Sequence, residues 1–360
     1  MNNDKPYWIG FNVFEGIGPA RFGALLKCFG SAKKAWEASE EEFLKIGLGE
    51  KLTEKFLKFR ANFDIKRYLK KLRELGIRVL TLKDQEYPKL LQEIPSAPPV
   101  LYLKGEILPE DEKAIAIVGT RKATFYGRRV TQILAKELVT QGFTIVSGMA
   151  RGVDSIAHQA ALKAGGRTIA VLGCGIDIVY PPENKTLYQE ISQRGAVVSE
   201  VPLGKYVSRG IFPARNRIIA GLSLGILVTE GARDSGSLIT ASFAGEQGRE
   251  VFAVPGPITS PLSQGPANLI KKGAKLVYNG EDILEELNIK PLGPRREGVV
   301  RGETPEEEKL LNLLKGGSLH IDELVRKTGW EVNKVGSVLS LMEVKGKVKN
   351  LGGMVYGIGD

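Results

Sequence analysis

The chain has 360 residues, which is enough for two or three domains. Its formal net charge of +10 suits an acidic partner. Its two cysteines, Cys28 and Cys174, exclude a disulfide framework, and its two histidines, His158 and His320, exclude a histidine-rich metal centre. No apolar run reaches the length of a membrane span, and the N-terminus has no signal-peptide pattern. We therefore expect a cytoplasmic protein without a metal or an organic cofactor.

The first segment, residues 1–84, predicts a small helical domain. A Gly-x-Gly turn followed by leucines at helical spacing occurs at Gly16–Lys27 and, more weakly, at Gly47–Lys58. This is the helix-hairpin-helix pattern, whose backbone N–H groups can hold a phosphate. A structural domain without nucleic-acid contact explains the same residues, because residues 40–42 are glutamates that dilute the basic face. Residues 85–112 contain several prolines and predict an extended connector whose last strand joins the following sheet.

Residues 113–290 predict a Rossmann-like, doubly wound α/β domain. Short apolar runs alternate with helical segments, which is the pattern of parallel strands buried on both faces. The predicted strands are Ile115–Val118, Phe143–Val146, Thr168–Leu172, Ala196–Ser199, Gly225–Thr229, Val251–Val254 and Lys275–Tyr278.

Small and basic residues follow these strands and predict one ligand-binding rim, because the carboxyl ends of parallel strands meet at the same edge. Gly119, Thr120 and Arg121 follow the first strand, and Arg151 follows the second. No G-x-G-x-x-G follows Val118, so a dinucleotide cofactor is not expected. A second phosphate-binding turn is predicted directly before a helix, at Ser235, Gly236 and Ser237.

The loop over residues 208–217 has the composition of a single-strand nucleic-acid contact. Arginines meet phosphates, while a phenyl ring stacks on a base. The candidates are Arg209, Phe212, Arg215, Asn216 and Arg217. Ordinary packing of a phenylalanine before a proline is the competing interpretation.

The tail begins with a linker over residues 291–302 and predicts a winged-helix domain over residues 303–360. The pattern indicates three helices followed by a two-stranded wing that turns at Gly352 and Gly353. The third helix carries no arginine and the segment is slightly acidic, which favours a protein contact or a regulatory role over DNA reading.

The middle domain closely resembles the DNA-processing protein A family, DprA, also called Smf. The motifs that carry the resemblance are residues 117–121 (IVGTR), 147–154 (SGMARGVD), 180–184 (YPPEN), 215–217 (RNR) and 253–256 (AVPG). The resemblance implies a bacterial protein that binds single-stranded DNA, protects it from nucleases and helps to load the RecA recombinase during natural transformation. It also implies a homodimer, a winged-helix domain behind the sheet, and DNA contacts at Arg121, Arg209 and Phe212.

Two hypotheses of different classes follow. The first is a non-enzymatic, single-strand-binding mediator, because no nucleophile, base and orienting group occur together. Asp154 and His158, four residues apart on one helix face, are a candidate acid/base pair, but capping and packing of that helix is the favoured interpretation. The second is a nucleotide-processing enzyme that resembles the phosphoribohydrolases. It is disfavoured because residues 230–237 lack the Pro-Gly-Gly-x-Gly-Thr turn of those enzymes.

Overall fold

The computed structural model describes residues 4–206, 211–292, 302–315 and 317–358, with the backbone alone for residues 211–213. The chain divides into two compact units, Met1–Leu292 and Gly293–Asp360. None of the described helices combines the length and the apolar character needed to cross a membrane.

Six short helices form the N-terminal region around an aromatic core. Gly18 and Gly49 occupy the N-cap positions of two of them, as the Gly-x-Gly repeats predict. Phe11 and Phe56 lie at the centre of this core and stack with ring centroids 5.0 Å apart. The helices are α1 (Lys5–Val13), α2 (Pro19–Phe29), α3 (Ala32–Glu37), α4 (Glu40–Lys45), α5 (Glu50–Asn62) and α6 (Ile65–Glu74).

A nine-stranded sheet forms the centre of the first unit. Its strands are β1 (Arg78–Thr81), β2 (Val100–Gly105), β3 (Ala114–Val118), β4 (Thr144–Ser147), β5 (Thr168–Val171), β6 (Ala196–Ser199), β7 (Gly225–Val228), β8 (Glu250–Ala253) and β9 (Lys275–Leu276). The spatial order is β1-β2-β6-β5-β4-β3-β7-β8-β9. From β6 to β9 neighbouring strands are parallel. The predicted doubly wound α/β fold is therefore confirmed.

Helices cover both faces of the sheet because side chains alternate along each buried strand. In β3, Ile115 and Ile117 pack in one core cluster, whereas Ala116 and Val118 pack in another on the opposite face. The helices are α7 (Lys89–Gln92), α8 (Phe125–Thr140), α9 (Val153–Lys163), α10 (Lys185–Arg194), α11 (Ile211–Gly221), α12 (Gly236–Glu246), α13 (Gln264–Lys271) and α14 (Gly280–Glu286).

The N-terminal helices pack directly on the sheet. Buried side chains of β2 and of the helical region belong to one hydrophobic cluster. A chain of hydrogen bonds crosses the same contact: Leu203 N–H donates to the Tyr68 hydroxyl (2.9 Å), Tyr68 to the Tyr102 hydroxyl (3.3 Å), and Tyr102 to Asn12 Oδ1 (2.8 Å). Asn12 Nδ2 in turn donates to the Glu200 carbonyl at 3.1 Å.

The predicted domain limits at residues 84, 112 and 290 stay predictions. The structure adds that β1, within the segment assigned to the helical domain, and β2, within the assigned connector, are both strands of the large sheet. β2 pairs antiparallel with β6, with Tyr102 opposite Ser199. β1 is therefore the edge strand, and the prolines lie in the connection between β1 and β2, outside both strands.

The second unit has the predicted winged-helix architecture. It consists of α15 (Pro305–Leu314), β10 (Leu319–His320), α16 (Ile321–Thr328), α17 (Val332–Val344), β11 (Val348–Asn350) and β12 (Val355–Ile358). Its sheet has the order β10-β12-β11, so the predicted two-stranded wing, β11 and β12, is joined by a third strand, β10. The additional strand has only two residues, which is too short for an alternating pattern to appear in the sequence.

Two lysines of the second unit are engaged by a buried carboxylate. Glu307 accepts hydrogen bonds from Lys345 Nζ at 2.8 Å and from Lys347 Nζ at 2.7 Å. These bonds, that of Lys345 first, lower the pKa of Glu307 to about 2. Both cations therefore stabilise this unit, which leaves less positive charge available for a nucleic acid.

Candidate nucleic-acid interface

The strand order reverses between β3 and β7, and this reversal creates a groove at the carboxyl edge of the sheet. β3 pairs with β4 on one side and with β7 on the other, so the helices that follow β3 and β7 diverge. Such a switch point is where ligands bind in open α/β sheets. The groove has a volume of about 490 Å³, and its lining includes the predicted residues Gly119, Thr120, Arg121, Arg215, Asn216, Ser235, Gly236 and Ser237.

The turn after β3 is held by a buried carboxylate from the end of β7. Thr120 N–H donates to the Glu230 carbonyl at 2.7 Å. The Glu230 carboxylate, in a residue only 3% exposed, accepts from Thr124 N–H at 2.9 Å and from the Thr124 hydroxyl at 2.7 Å. These three bonds fix the backbone around Arg121, whose own side chain is exposed to solvent.

The loop after β4 packs against the same turn. Val153 N–H donates to the Thr120 carbonyl at 3.1 Å. Gly152 has φ +75°, and a Cβ atom added there would lie 2.3 Å from the Thr120 oxygen, so only glycine fits this approach. The buried Asp154 accepts from Gly148 N–H at 3.2 Å. Burial raises the pKa of Asp154, and the nearby Arg215 acts in the opposite direction.

Arg215 forms the floor of the groove. It is only 6% exposed, and its Nη1 donates to the Gly148 carbonyl at 2.6 Å and to the Val171 carbonyl at 2.8 Å. Burial lowers the pKa of this guanidinium, while Asp154 raises it. Arg215 therefore joins the ends of β4 and β5 and brings positive charge beneath the groove rather than reaching outward into solvent.

The third wall is the N-terminus of α12. Ser235 is the N-cap of this eleven-residue helix, and its Oγ lies 2.8 Å from Ser237 Oγ. Asn216 Nδ2, from α11, donates to the Gly236 carbonyl at 3.4 Å. The positive end of the helix dipole and two hydroxyl groups thus face the same groove as Arg121, an arrangement that suits a phosphate.

A smaller cavity of about 50 Å³ continues from the groove towards β5, and its lining includes Arg121, Arg151, Arg215, Cys174 and Tyr180. Arg151 is exposed and forms an ion pair with Glu183. Burial raises the pKa of the Cys174 thiol to about 11, so this thiol stays protonated at neutral pH. Arg151 therefore belongs to the same strand-end rim as Arg121, as the sequence predicts.

Comparison with known proteins assigns the chain. The profile of DNA recombination-mediator protein A matches residues 78–288, and that of the DprA winged-helix domain matches residues 295–354. The chain belongs to the DprA/Smf family. Protein Smf of Synechocystis is 36% identical to it over 393 residues, which cover 99% of each chain.

Two solved structures of DprA proteins share the fold. That of DNA processing protein A from Streptococcus pneumoniae has a TM-score of 0.70 and 35% identity, and the alignment covers 79% of this chain and 98% of that one. That of DNA processing protein A from Helicobacter pylori has a TM-score of 0.53 and 33% identity, covering 59% and 95% respectively. The Helicobacter structure is described as revealing a single-stranded DNA binding mode.

In this DprA-family chain, Arg217 does not share the environment of Arg215. Its side chain is 9% exposed and forms an ion pair with Glu200, and Arg217 is absent from the lining of the groove. Burial raises the pKa of Glu200, and the guanidinium of Arg217 opposes that effect. Of the remaining predicted contacts, Arg209 and the side chain of Phe212 lie outside the described residues.

His158 and Glu230 have structural roles, although a histidine and a glutamate near a candidate site suggest proton transfer. His158 is fully buried, with Nδ1 2.6 Å from Thr168 Oγ1, and burial lowers its pKa to about 3. It packs α9 and does not exchange protons near neutral pH. Glu230 is the residue that sequence reasoning missed as the anchor of the Arg121 turn. Its only signal is an acidic residue directly after an apolar strand.

Proposed function

We propose that this DprA-family protein binds single-stranded DNA in the switch-point groove and delivers it to a RecA recombinase during natural transformation. It does so as a homodimer in the cytoplasm and without a catalytic step. The observation that carries the proposal is the convergence of the exposed Arg121 and the N-terminus of α12 on one groove. The single-stranded DNA binding described for the Helicobacter relative supports the choice of ligand.

The chemistry of the groove favours a polyanion that lacks a fixed sequence. A guanidinium, hydroxyl groups and the end of a helix all bind phosphate oxygens, and contacts to phosphates carry no sequence information. The buried guanidinium of Arg215 adds a second positive charge under the site. Because the turns are held by Glu230, Asp154 and Arg215, the donors are preorganised and lose little entropy when DNA binds.

The contacts of Asp154 and His158 argue against the enzyme hypothesis. Asp154 is occupied by backbone N–H groups, and His158 is buried with a pKa of about 3. Neither group is therefore placed to transfer a proton to or from a nucleotide in the groove. Turnover of a nucleoside monophosphate by the pure protein would be the result that restores the enzyme hypothesis.

The test is fluorescence anisotropy of labelled oligo-dT and a matched duplex over a salt series. Arg121→Ala should weaken single-strand binding by about tenfold or more, since one charge-assisted hydrogen bond contributes about 1.5–3 kcal/mol. The log–log salt slope should fall by about 0.7, the value for one phosphate contact on a single strand. The matched control is Arg73→Ala, which instead removes an exposed arginine of α6 and should bind like wild type.

Equal binding by wild type and Arg121→Ala would show that DNA does not occupy the groove, and a preference for duplex would contradict the mediator function. Phe212→Ala tests the predicted stacking contact in the same titration. RecA loading is tested separately, by RecA nucleation on oligo-dT that is precoated with a single-strand binding protein. Sedimentation of the free protein tests the homodimer.

A further inference from the structure

We infer that the outer face of α8 is a second segment of the DNA path, which takes the single strand as it leaves the switch-point groove. This inference rests on the proposed function and extends it. The face consists of Phe125, Arg128, Arg129, Gln132 and Lys136, all of them exposed. Their spacing of three and four residues places them in one stripe along the helix.

The stripe begins at the groove. α8 follows the turn that carries Arg121, and Lys122 of that turn lines the groove itself. Because β3 and β4 are parallel, the helix that connects them runs back along the sheet, away from the carboxyl edge. Its Phe125 end therefore lies at the rim, and Lys136 lies about 17 Å further along the axis, at 1.5 Å per residue.

The aromatic residue of the stripe has no structural role. Phe125 is 86% exposed, although a phenyl ring of this size gains stability from burial. Its neighbour Tyr126, by contrast, points to the sheet side and donates a hydrogen bond to the Pro255 carbonyl. An exposed ring beside arginines is the arrangement on which single-stranded nucleic acids stack their bases.

The two arginines of the stripe are also uncompensated. Within the part of the chain that the structure describes, neither Arg128 nor Arg129 has an ion pair or a side-chain hydrogen bond. No acidic residue lies in the first turn of α8, where one would favour the helix dipole. The carboxylate of Glu137 accepts from Gly280 N–H at 2.7 Å and does not neutralise them. Two cations near the positive end of a helix are unfavourable unless an anion joins them.

The occupant is the sugar-phosphate backbone of the strand that fills the groove. The stripe presents cations to phosphates and one ring to a base, and it is continuous with Lys122 and Arg121. A protein partner, such as an acidic surface of a recombinase, is the competing occupant that the experiment below separates.

The experiment compares two lengths of labelled oligo-dT: about 5 nucleotides, near the lower limit of site sizes in single-strand-binding domains, and about 20, above the upper limit. The double variant Arg128→Ala/Arg129→Ala should bind the short oligonucleotide like wild type. With the long one its log–log salt slope should be shallower by about 1.4, which is two contacts at about 0.7 each. The control Lys271→Ala/Lys272→Ala, at the exposed end of α13, removes the same charge and should leave both slopes unchanged.

Phe125 is tested in the same titrations. Phe125→Ala should weaken binding of the long oligonucleotide by about 5- to 160-fold, the range for one stacked base, and leave binding of the short one unaffected. Phe125→Trp should bind normally and show fluorescence quenching with the long oligonucleotide only. Both substitutions are at a solvent-exposed position, so folding is preserved.

The inference would be overturned if the α8 variants bound the long oligonucleotide with the affinity and salt slope of wild type. In that case, weaker binding of both oligonucleotides by Arg121→Ala would still support the groove as a DNA site. Normal DNA binding with impaired RecA nucleation would make α8 a protein-docking surface and would equally overturn it. If wild type binds neither length, the proposed function itself fails, and the inference fails with it.

Discussion

Arg217→Ala separates a structural arginine from a DNA-binding one. Removal of one partner from a buried ion pair costs about 3–5 kcal/mol, because the other charge is left without compensation. The Glu200 side chain is 20% exposed, so we expect a value near the lower limit, about 3 kcal/mol, at pH about 7. Urea denaturation followed by tryptophan fluorescence measures this loss. The affinity of the folded variant for oligo-dT should be unchanged.

The pH dependence of that loss identifies its cause. Burial already raises the pKa of Glu200 above 4.5, and without Arg217 the pKa of the folded variant rises further. A raised pKa in the folded state costs nothing below the unfolded value and becomes destabilising as pH rises through it. The loss in Arg217→Ala should therefore be small at pH below 4.5 and grow towards neutral pH.

A paired variant completes this test. Arg217→Met with Glu200→Gln removes both charges and should recover most of the stability, as replacement of a buried ion pair by neutral side chains generally does. A loss of less than about 1 kcal/mol in Arg217→Ala, or a loss that is equal at acid and neutral pH, would refute the assignment of the ion pair as structural. A fall in DNA affinity comparable with that of Arg121→Ala would place Arg217 in the groove after all.

Three further predictions concern the groove, the thiols and the second unit. Gly165→Ala should lower the free energy of unfolding by about 1–2 kcal/mol, because Gly165 has a left-handed backbone. Gly152→Ala should lower it by about 1–3 kcal/mol more, because an added Cβ also lacks space there, and equal urea midpoints of the two variants would contradict this. Only the exposed Cys28 should react rapidly with a thiol reagent in the native protein, since Cys174 is buried with a pKa of about 11. Rapid reaction of both thiols would contradict this prediction. Glu307→Gln should destabilise the second unit at neutral pH, and the difference should vanish as pH falls through about 2, since a lowered pKa stabilises only above it; a pH-independent difference in thermal unfolding would count against the lysine contacts.

The sequence was sufficient for the seven parallel strands because most of them are buried on both faces. A short continuous apolar run such as Ile115–Val118, followed at once by a glycine turn, favours a strand buried on both faces. The same rule places the rim, since every parallel strand contributes its carboxyl end to one edge. The short strand Leu319–His320 was missed because two residues carry no period.

The roles of individual charged residues were less predictable. Arg215 and Arg217 are two positions apart on α11, so their side chains point to nearly opposite sides of the helix. One reaches the floor of the groove and the other reaches Glu200, and nothing in the order of residues shows which does which. The anchoring role of Glu230 was hidden for the same reason, because its partner Thr124 is 106 residues away in the chain.

The hydrogen-bonded chain from Asn12 through Tyr102 and Tyr68 to Leu203 links the helical region to the backbone that leads into residues 207–210. These helices are therefore not an independent module of the fold. A chimaera with the N-terminal helices of another family member would also need a matching hydroxyl on β2. It would need a matching backbone from Glu200 to Leu203 as well. The sequence freedom of the N-terminal region is thus limited by the residues from Glu200 to Leu203, and drift in one should be accompanied by drift in the other.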